Sequence, residues 1–330
     1  MARPRTATAS VKGSSGRAGD LEMMRVIAEL YYLRDWKQPE IAELTGFSIS
    51  KVSRLLAQAR EVGIVRISVD SPRAQLSPLA SRLTDALGVP VELTVGGETS
   101  PIASAKLCGV AAARFVGDQL PDAGVLGITG GNTLAALTGN LPERSLSGLT
   151  VVPLIGGWDQ ENPALDSNQV VRRAAERLGA TARLLHAPGY LESAATKEVL
   201  LRDSSIADTT RYWEDLDTAV IGLAGGPHTR AGYGTVMDRL DDAGRQRLMD
   251  KGVVGDVAGT LYTLDGTLVE DEWTTRTIAI PLALLRRTRQ VIAVAAGPTK
   301  VDSIIGCART GLIHTLITDE RTAQAALDRL

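Results

Sequence analysis

Cysteine is nearly absent: Cys108 and Cys307 are the two in 330 residues, far apart and set among small apolar neighbours. This argues against a disulfide-stapled secreted scaffold and reads as two buried free thiols in a reducing cytoplasm. A disulfide between them is the minor alternative. Aromatics amount to 4%, too few for the repeated stacking platforms that hold single-stranded nucleic acid. The longest apolar stretch, 278–285, is interrupted by Pro281 and falls far short of the ~18 residues a membrane span needs. The three histidines, His186, His228 and His314, form no triad or metal spacing, so no metal and no cofactor is expected. Core or loop positions suit them best; His228 with Arg230 is a weaker candidate for a ligand contact. Residues 1–19 hold Arg3, Arg5, Lys12 and Arg17 without an apolar run. They read as a disordered basic tail, not a secretory signal.

What is present is unevenly distributed. The formal net charge is −2, yet residues 1–70 carry 11 Lys+Arg against 8 Asp+Glu. The remainder carries 25 against 30. A basic N-terminal part joined to an acidic remainder points to two functions in one chain. Hydrophobic residues make up 44%, enough for a large core without a metal or disulfide staple.

The local pattern changes near Ser71-Pro72. Before it, apolar residues at 23, 26, 27, 30 and 33 predict a helix over 21–36. A second helix starts near Pro39, with Glu40 in its first turn, and stops at Gly46. A third runs from Ile49 to Val62, with Ser48 as its N-cap. Ile64–Val69 alternates as a short strand. After the break, strands alternate with helices. Strands are expected at 91–95, 124–128, 149–154, 182–185, 218–224, 277–280, 291–295 and 315–318. Helices are expected at 102–119, from 132, and at 167–178. That rhythm predicts an α/β domain with a mostly parallel sheet. The expected division is therefore a tail at 1–19, a helical domain at 20–72 and an α/β domain at 73–330.

Gln38–Ala57 has helix-turn-helix chemistry. Ala42 permits close helix approach, Gly46 makes the turn, and Ile41, Val52 and Leu55 fill the wedge between the helices. A plain helical hairpin is the bland alternative. On the third helix Val52, Leu55, Leu56, Ala59 and Val62 form the apolar side. Ser50, Lys51, Ser53, Arg54 and Gln58 then face outward. Lys51 opposes the helix dipole in the first turn, which suggests an anionic outside partner. Ser48, Ser50, Lys51, Ser53 and Arg54 are the candidate DNA contacts, because the start of the second helix of such a motif meets the major groove. Arg60 and Arg66 are weaker candidates for backbone contact.

In the second domain Gly127-Ile128-Thr129-Gly130-Gly131-Asn132-Thr133 follows a strand and opens a helix. Small residues there let backbone N–H groups approach an anion. The segment is neither a Walker A loop nor the GxGxxG fingerprint, and a purely structural turn is the alternative. Gly156-Gly157, Gly225-Gly226, Asp256 between glycines, and Lys300 after Gly297-Pro298-Thr299 also follow strand-like runs. Open parallel sheets bind ligands at such strand ends. A cation beside a glycine loop and a carboxylate for hydroxyls suit a phosphorylated sugar or polyol.

The run Gly46–Leu56 resembles the recognition helix of SorC-type sugar-binding transcriptional regulators. Gly127–Thr133, Asn168-Gln169, Gly255-Asp256, Ala296–Lys300 and Leu316–Glu320 resemble that family's effector-domain motifs, and the likeness covers about 20–330. It implies a bacterial regulator with an N-terminal helix-turn-helix (winged) domain. A larger α/β effector domain, similar to sugar-phosphate isomerases and deaminases, would follow. It implies phosphate held by Gly130, Gly131, Asn132, Thr133 and Lys300, hydroxyls met by Gln169 and Asp256, and a dimer or tetramer on double-stranded operator DNA. Some members have Thr-Thr where this chain has Asn132-Thr133. Some have an arginine where it has Ile155, so a bisphosphate effector fits less well than a monophosphate or a free polyol. Two-fold assembly would set recognition helices about 34–36 Å apart. A helix over 76–87, with Leu76, Leu79, Ala80, Leu83 and Leu87 on one face, would transmit effector state or simply dock. The competing readings are a sugar-phosphate isomerase or deaminase carrying a DNA-binding module, and a DNA-binding protein whose second domain serves only assembly.

Overall fold

The computed structural model describes residues 15–65, 77–96, 100–158, 162–228 and 240–330. Two compact units divide between Ala74 and Gln75. The strand expected at 64–69, Arg66, the Ser71-Pro72 break, Leu76, Arg230 and most of the basic tail lie outside the described residues.

The first unit holds α1 (Ser15–Leu33), α2 (Gln38–Thr45) and α3 (Ile49–Glu61). Helix α1 begins inside the stretch expected as a tail and ends before Trp36, where Asp35 takes a positive φ of 55°. Gly46 closes α2 in the left-handed conformation, φ 68°, its N–H donating to Ala42 O. Ser48 caps α3 by accepting from Lys51 N at 3.3 Å. Ile27, Ala28, Ile41, Ala42, Val52, Leu56 and Ala59 form a small shared core. Val62, expected on the apolar side, is exposed because the helix has already ended at Glu61.

The second unit opens with α4 (Pro78–Leu87), which buries Ala80, Leu83 and Leu87. Then come β1 (Val91–Thr94), α5 (Pro101–Gln119), β2 (Ala123–Ile128), α6 (Asn132–Gly139), β3 (Gly148–Pro153), α7 (Ser167–Leu178) and β4 (Thr181–Ala182). Helices α8 (Ala194–Arg202) and α9 (Ser204–Thr210) precede β5 (Thr218–Gly222). An insertion follows: β6 (Ala224–Gly225), α10 (Asp242–Asp250), β7 (Val253–Val257), β8 (Thr260–Thr263), β9 (Leu268–Val269), α11 (Glu272–Arg276) and α12 (Leu282–Arg287). The chain ends with β10 (Gln290–Val294), α13 (Val301–Arg309), β11 (Thr315–Asp319) and α14 (Glu320–Arg329).

Seven strands form a parallel sheet in the order β1-β11-β10-β5-β2-β3-β4. Alternate residues of its strands enter different cores: Ala219, Ile221, Val291 and Ala293 join one, Val220, Ile292 and Val294 the other. Both faces are covered, so the central strands are apolar on both sides, as parallel sheets require. Close packing of α5 on the start of α6 depends on Gly109, where a Cβ would lie 2.2 Å from Thr133 O.

Several expected strands are revised. The run at 218–224 splits, β5 joining the large sheet and β6 a four-stranded antiparallel sheet, β6-β7-β8-β9. The strand expected at 182–185 stops at Ala182, because Asn168 clamps Leu185 by side-chain bonds to its N and O at 2.9 and 3.0 Å. Residues 277–280 make only isolated bridges. There Thr277 closes α11, its Oγ1 donating to Trp273 O, and Pro281 follows without an N–H. Both cysteines are buried free thiols, each pushed up to about 12 by burial.

Candidate functional site

On α3, Ser48, Ser50, Ser53 and Arg54 are exposed. Ser48 Oγ and Ser50 Oγ lie 3.0 Å apart. Lys51 is only partly exposed, its ammonium 3.5 Å from the centroid of the Phe47 ring. That cation–π contact provides a partner within the chain, so its place in the first turn needs no outside anion to explain it. The contact also fixes where the charge stands beside Arg54.

In the second unit the C-terminal ends of β2, β3, β5 and β10 converge on a cavity of about 140 Å³. Strand order places β5 among them at the centre of the sheet, where doubly wound folds bind ligands. Gly130, Gly131, Asn132 and Thr133 line it after β2, and Thr299 and Lys300 after β10. Eight described helices begin at a Ser or Asp whose side chain caps a backbone N–H. Helix α6 begins instead at Gly131, φ 103°, with no side-chain cap and open space where a Cβ would stand. The short turn at 298–300 that leads into α13 likewise follows a glycine, Gly297, φ 109°. Gly131 N–H donates to Leu165 O and Lys300 N–H to Gly297 O, so it is the uncapped first turn of α6, at its positive dipole end, that suits an anion.

Asp256 lines the same cavity from β7. It is 5% exposed, and its Oδ2 has no protein partner. Burial raises its pKa to about 7, partly offset by the Gly259 N–H and the charge of Lys300. The turn beneath it is tight: Ala258 takes φ 46°. A buried carboxylate with one oxygen lacking a donor is short of a hydrogen bond, and its residue lines the cavity. Behind it, Ser303 of α13 donates to Ala224 O at 2.7 Å, and Tyr262 lies 2.8 Å from Ser303.

Six of the seven expected effector residues thus share one cavity. Gln169 does not join them: it is exposed on the first turn of α7, while its neighbour Asn168 clamps Leu185. Ile155 lines the cavity with an uncharged side chain. Trp158 was not singled out from the sequence, although it follows the noted Gly156-Gly157 pair, and it lines the cavity too. The histidines stand elsewhere: His186 and His228 are exposed, and His314 Nδ1 accepts from Val291 N at 3.0 Å. Among the described residues no three metal-ligand side chains cluster, and no helix is long and apolar enough to cross a membrane.

Residues 74–328 match the family model described as "Putative sugar-binding domain". The chain is 30% identical to the sorbitol operon regulator of Klebsiella pneumoniae, covering 93% of this chain and 98% of that one. It is 29% identical to the erythritol catabolism regulatory protein EryD of Brucella abortus (strain 2308), covering 91% and 94%. The crystal structure of the full-length sorbitol operon regulator SorC from Klebsiella pneumoniae superposes with a TM-score of 0.72 at 28% identity, over 93% of this chain and 99% of the other. With a parallel α/β unit, a cavity at its strand ends and matches spanning both units, the chain belongs to the SorC-type family of sugar-binding transcriptional regulators.

Proposed function

We propose that this protein is a cytoplasmic, homo-oligomeric DNA-binding regulator. Its operator affinity is set by a phosphorylated polyol or sugar, or by a free polyol, held in the strand-end cavity. One observation carries the reading: the uncapped start of α6 at Gly131, Lys300, and a buried carboxylate with one oxygen lacking a partner line the same 140 Å³ space. The phosphate would sit at Gly130–Thr133 and Lys300, and Asp256 would accept from a hydroxyl. The uncharged Ile155 favours one phosphate over two. Ser48, Ser50, Lys51, Ser53 and Arg54 would meet operator DNA. An effector switches the protein only by binding its DNA-competent and incompetent states unequally.

A thermal-shift panel of polyol phosphates, sugar phosphates and free polyols tests this, with sorbitol and erythritol derivatives first because two relatives are named for those sugars. A true effector raises the melting temperature by mass action and changes operator affinity at fixed salt. Arg54→Ala should cost about 1–3 kcal/mol of operator binding and leave the thermal shift intact. A second reading, an isomerase- or deaminase-type enzyme, draws on Asp256, whose pKa of about 7 suits acid–base work. Turnover of a bound sugar phosphate to a new product would establish it; binding without turnover removes it.

A further inference from the structure

Trp158 is the one aromatic among the described residues lining the cavity. Its indole is held from several sides. It stacks on Trp273 at 5.8 Å between centroids and 11° between planes, and Trp273 stacks on Tyr190 at 4.5 Å and 14°. Gly189 packs so closely that a Cβ there would lie 2.5 Å from Trp158 Cε2. The backbone N of Trp158 donates to Asp166 Oδ2 at 3.3 Å, and Asp166 also caps α7. Trp273 is fully buried, whereas Trp158 at the end of the stack keeps part of its surface open. The other apolar residues lining the cavity are aliphatic, so the end of this three-ring stack gives it its one aromatic side chain among the described residues.

A ligand held by phosphate at one end and hydroxyls at the other still exposes its carbon skeleton. The C–H bonds of a polyol are weakly positive, and an aromatic ring's face is negative. We propose that Trp158 is a specificity-determining wall of the cavity, packing its indole against the carbon chain of a phosphorylated polyol and favouring longer chains over phosphate alone. The proposal rests on the effector reading above and adds the group that measures chain length. Because the ring is immobilised beforehand, little side-chain entropy is lost on binding.

The test uses the full chain, binding calorimetry and tryptophan emission, with inorganic phosphate, glycerol phosphate and sorbitol phosphate as probes. The wild type should bind sorbitol phosphate most tightly. Trp158→Ala should weaken sorbitol phosphate about tenfold while inorganic phosphate changes less than about twofold, and Trp158→Phe should recover most of the loss. Should the alanine variant fail to fold, emission decides. The change caused by sorbitol phosphate should vanish in Trp158→Phe, whose binding persists by calorimetry, and survive in Trp36→Phe. Equal weakening of phosphate and sorbitol phosphate, an unaltered sorbitol phosphate affinity, or an emission change that persists in Trp158→Phe overturns the proposal alone. A wild type that binds none of the probes overturns the phosphorylated-polyol reading, and this proposal with it.

Discussion

Asp271 and Asp256 are two buried aspartates of one unit, 6% and 5% exposed, and the protein treats them oppositely. Asp271 is saturated. Arg247 grips it at 3.0 and 3.1 Å, Lys251 at 2.8 Å, and Trp273 N donates at 3.0 Å. Burial acts to raise its pKa, but these hydrogen bonds outweigh burial and hold it well below the usual carboxylate range. Asp256 has one backbone donor and the charge of Lys300, and burial outweighs both, so its pKa rises to about 7. Burial alone therefore does not distinguish a structural acid from a ligand-seeking one. Completeness of the hydrogen-bond shell does. Asp271 ties α10 to the start of α11; Asp256 leaves one oxygen without a partner.

The sharpest break of this contrast is Asp271→Ala. It removes the α11 cap and strands two cations. Those cations are 41% and 39% exposed, so water recovers part of the loss. A destabilisation of about 2–4 kcal/mol in urea unfolding is expected, with effector binding retained in the folded fraction. The pH sign follows from the lowered folded value. The contribution of Asp271 is complete above the unfolded carboxylate range near pH 4 and is lost as pH falls below it. A variant unfolding no more easily than the wild type at pH 7 would dissolve the distinction.

Asp256→Asn should act in the opposite direction. The raised folded value means that the native state holds the proton more tightly than the unfolded chain. Its penalty is absent below about pH 4 and grows until about pH 7. At pH 8 the asparagine variant should be more stable than the wild type by about 1–3 kcal/mol, the buried amide cancelling part of the gain. Near pH 4 that gain should be gone, leaving only the cost of the buried amide. Effector affinity should fall about 10–100-fold, read by calorimetry. Stability gained without affinity lost would make Asp256 a structural defect rather than a ligand contact.

Local chemistry was legible in the sequence, and distant pairing was not. Gly46 and Ser48 mark their helix ends because a left-handed stop and a cap depend only on neighbours within a few residues. The apolar runs of β2, β3, β5 and β10 reveal a sheet buried on both faces. Gly130–Thr133, Asp256 and Lys300 stood out because glycine flanks them where strands end. The antiparallel sheet escaped notice: its strands are two to five residues long, too short for alternation to show. Asp271 gave no signal, since Arg247 and Lys251 reach it only through the fold. Trp158 was hidden similarly, its stacking partners lying far along the chain. Gln169 entered only through the family resemblance, and it stands exposed on the first turn of α7 while Asn168 bonds to Leu185.

The mildest test separates Asp256 from the scaffold behind it. Ser303 Oγ spends its single proton on Ala224 O, so Tyr262 must donate to Ser303. Ala224 pairs with Asp256 across β6 and β7, which makes this chain of bonds the brace behind the carboxylate. Ser303→Ala leaves the buried Tyr262 hydroxyl without that acceptor and should cost about 1–2 kcal/mol of stability. No charge is involved, so the loss should be flat between pH 4 and pH 8, unlike the change at Asp256. Ser303 does not line the cavity, so inorganic phosphate should bind as in the wild type. A pH-dependent loss would instead show that the brace and the carboxylate titrate as one unit, and the contrast with Asp271 would then belong to the network rather than to Asp256.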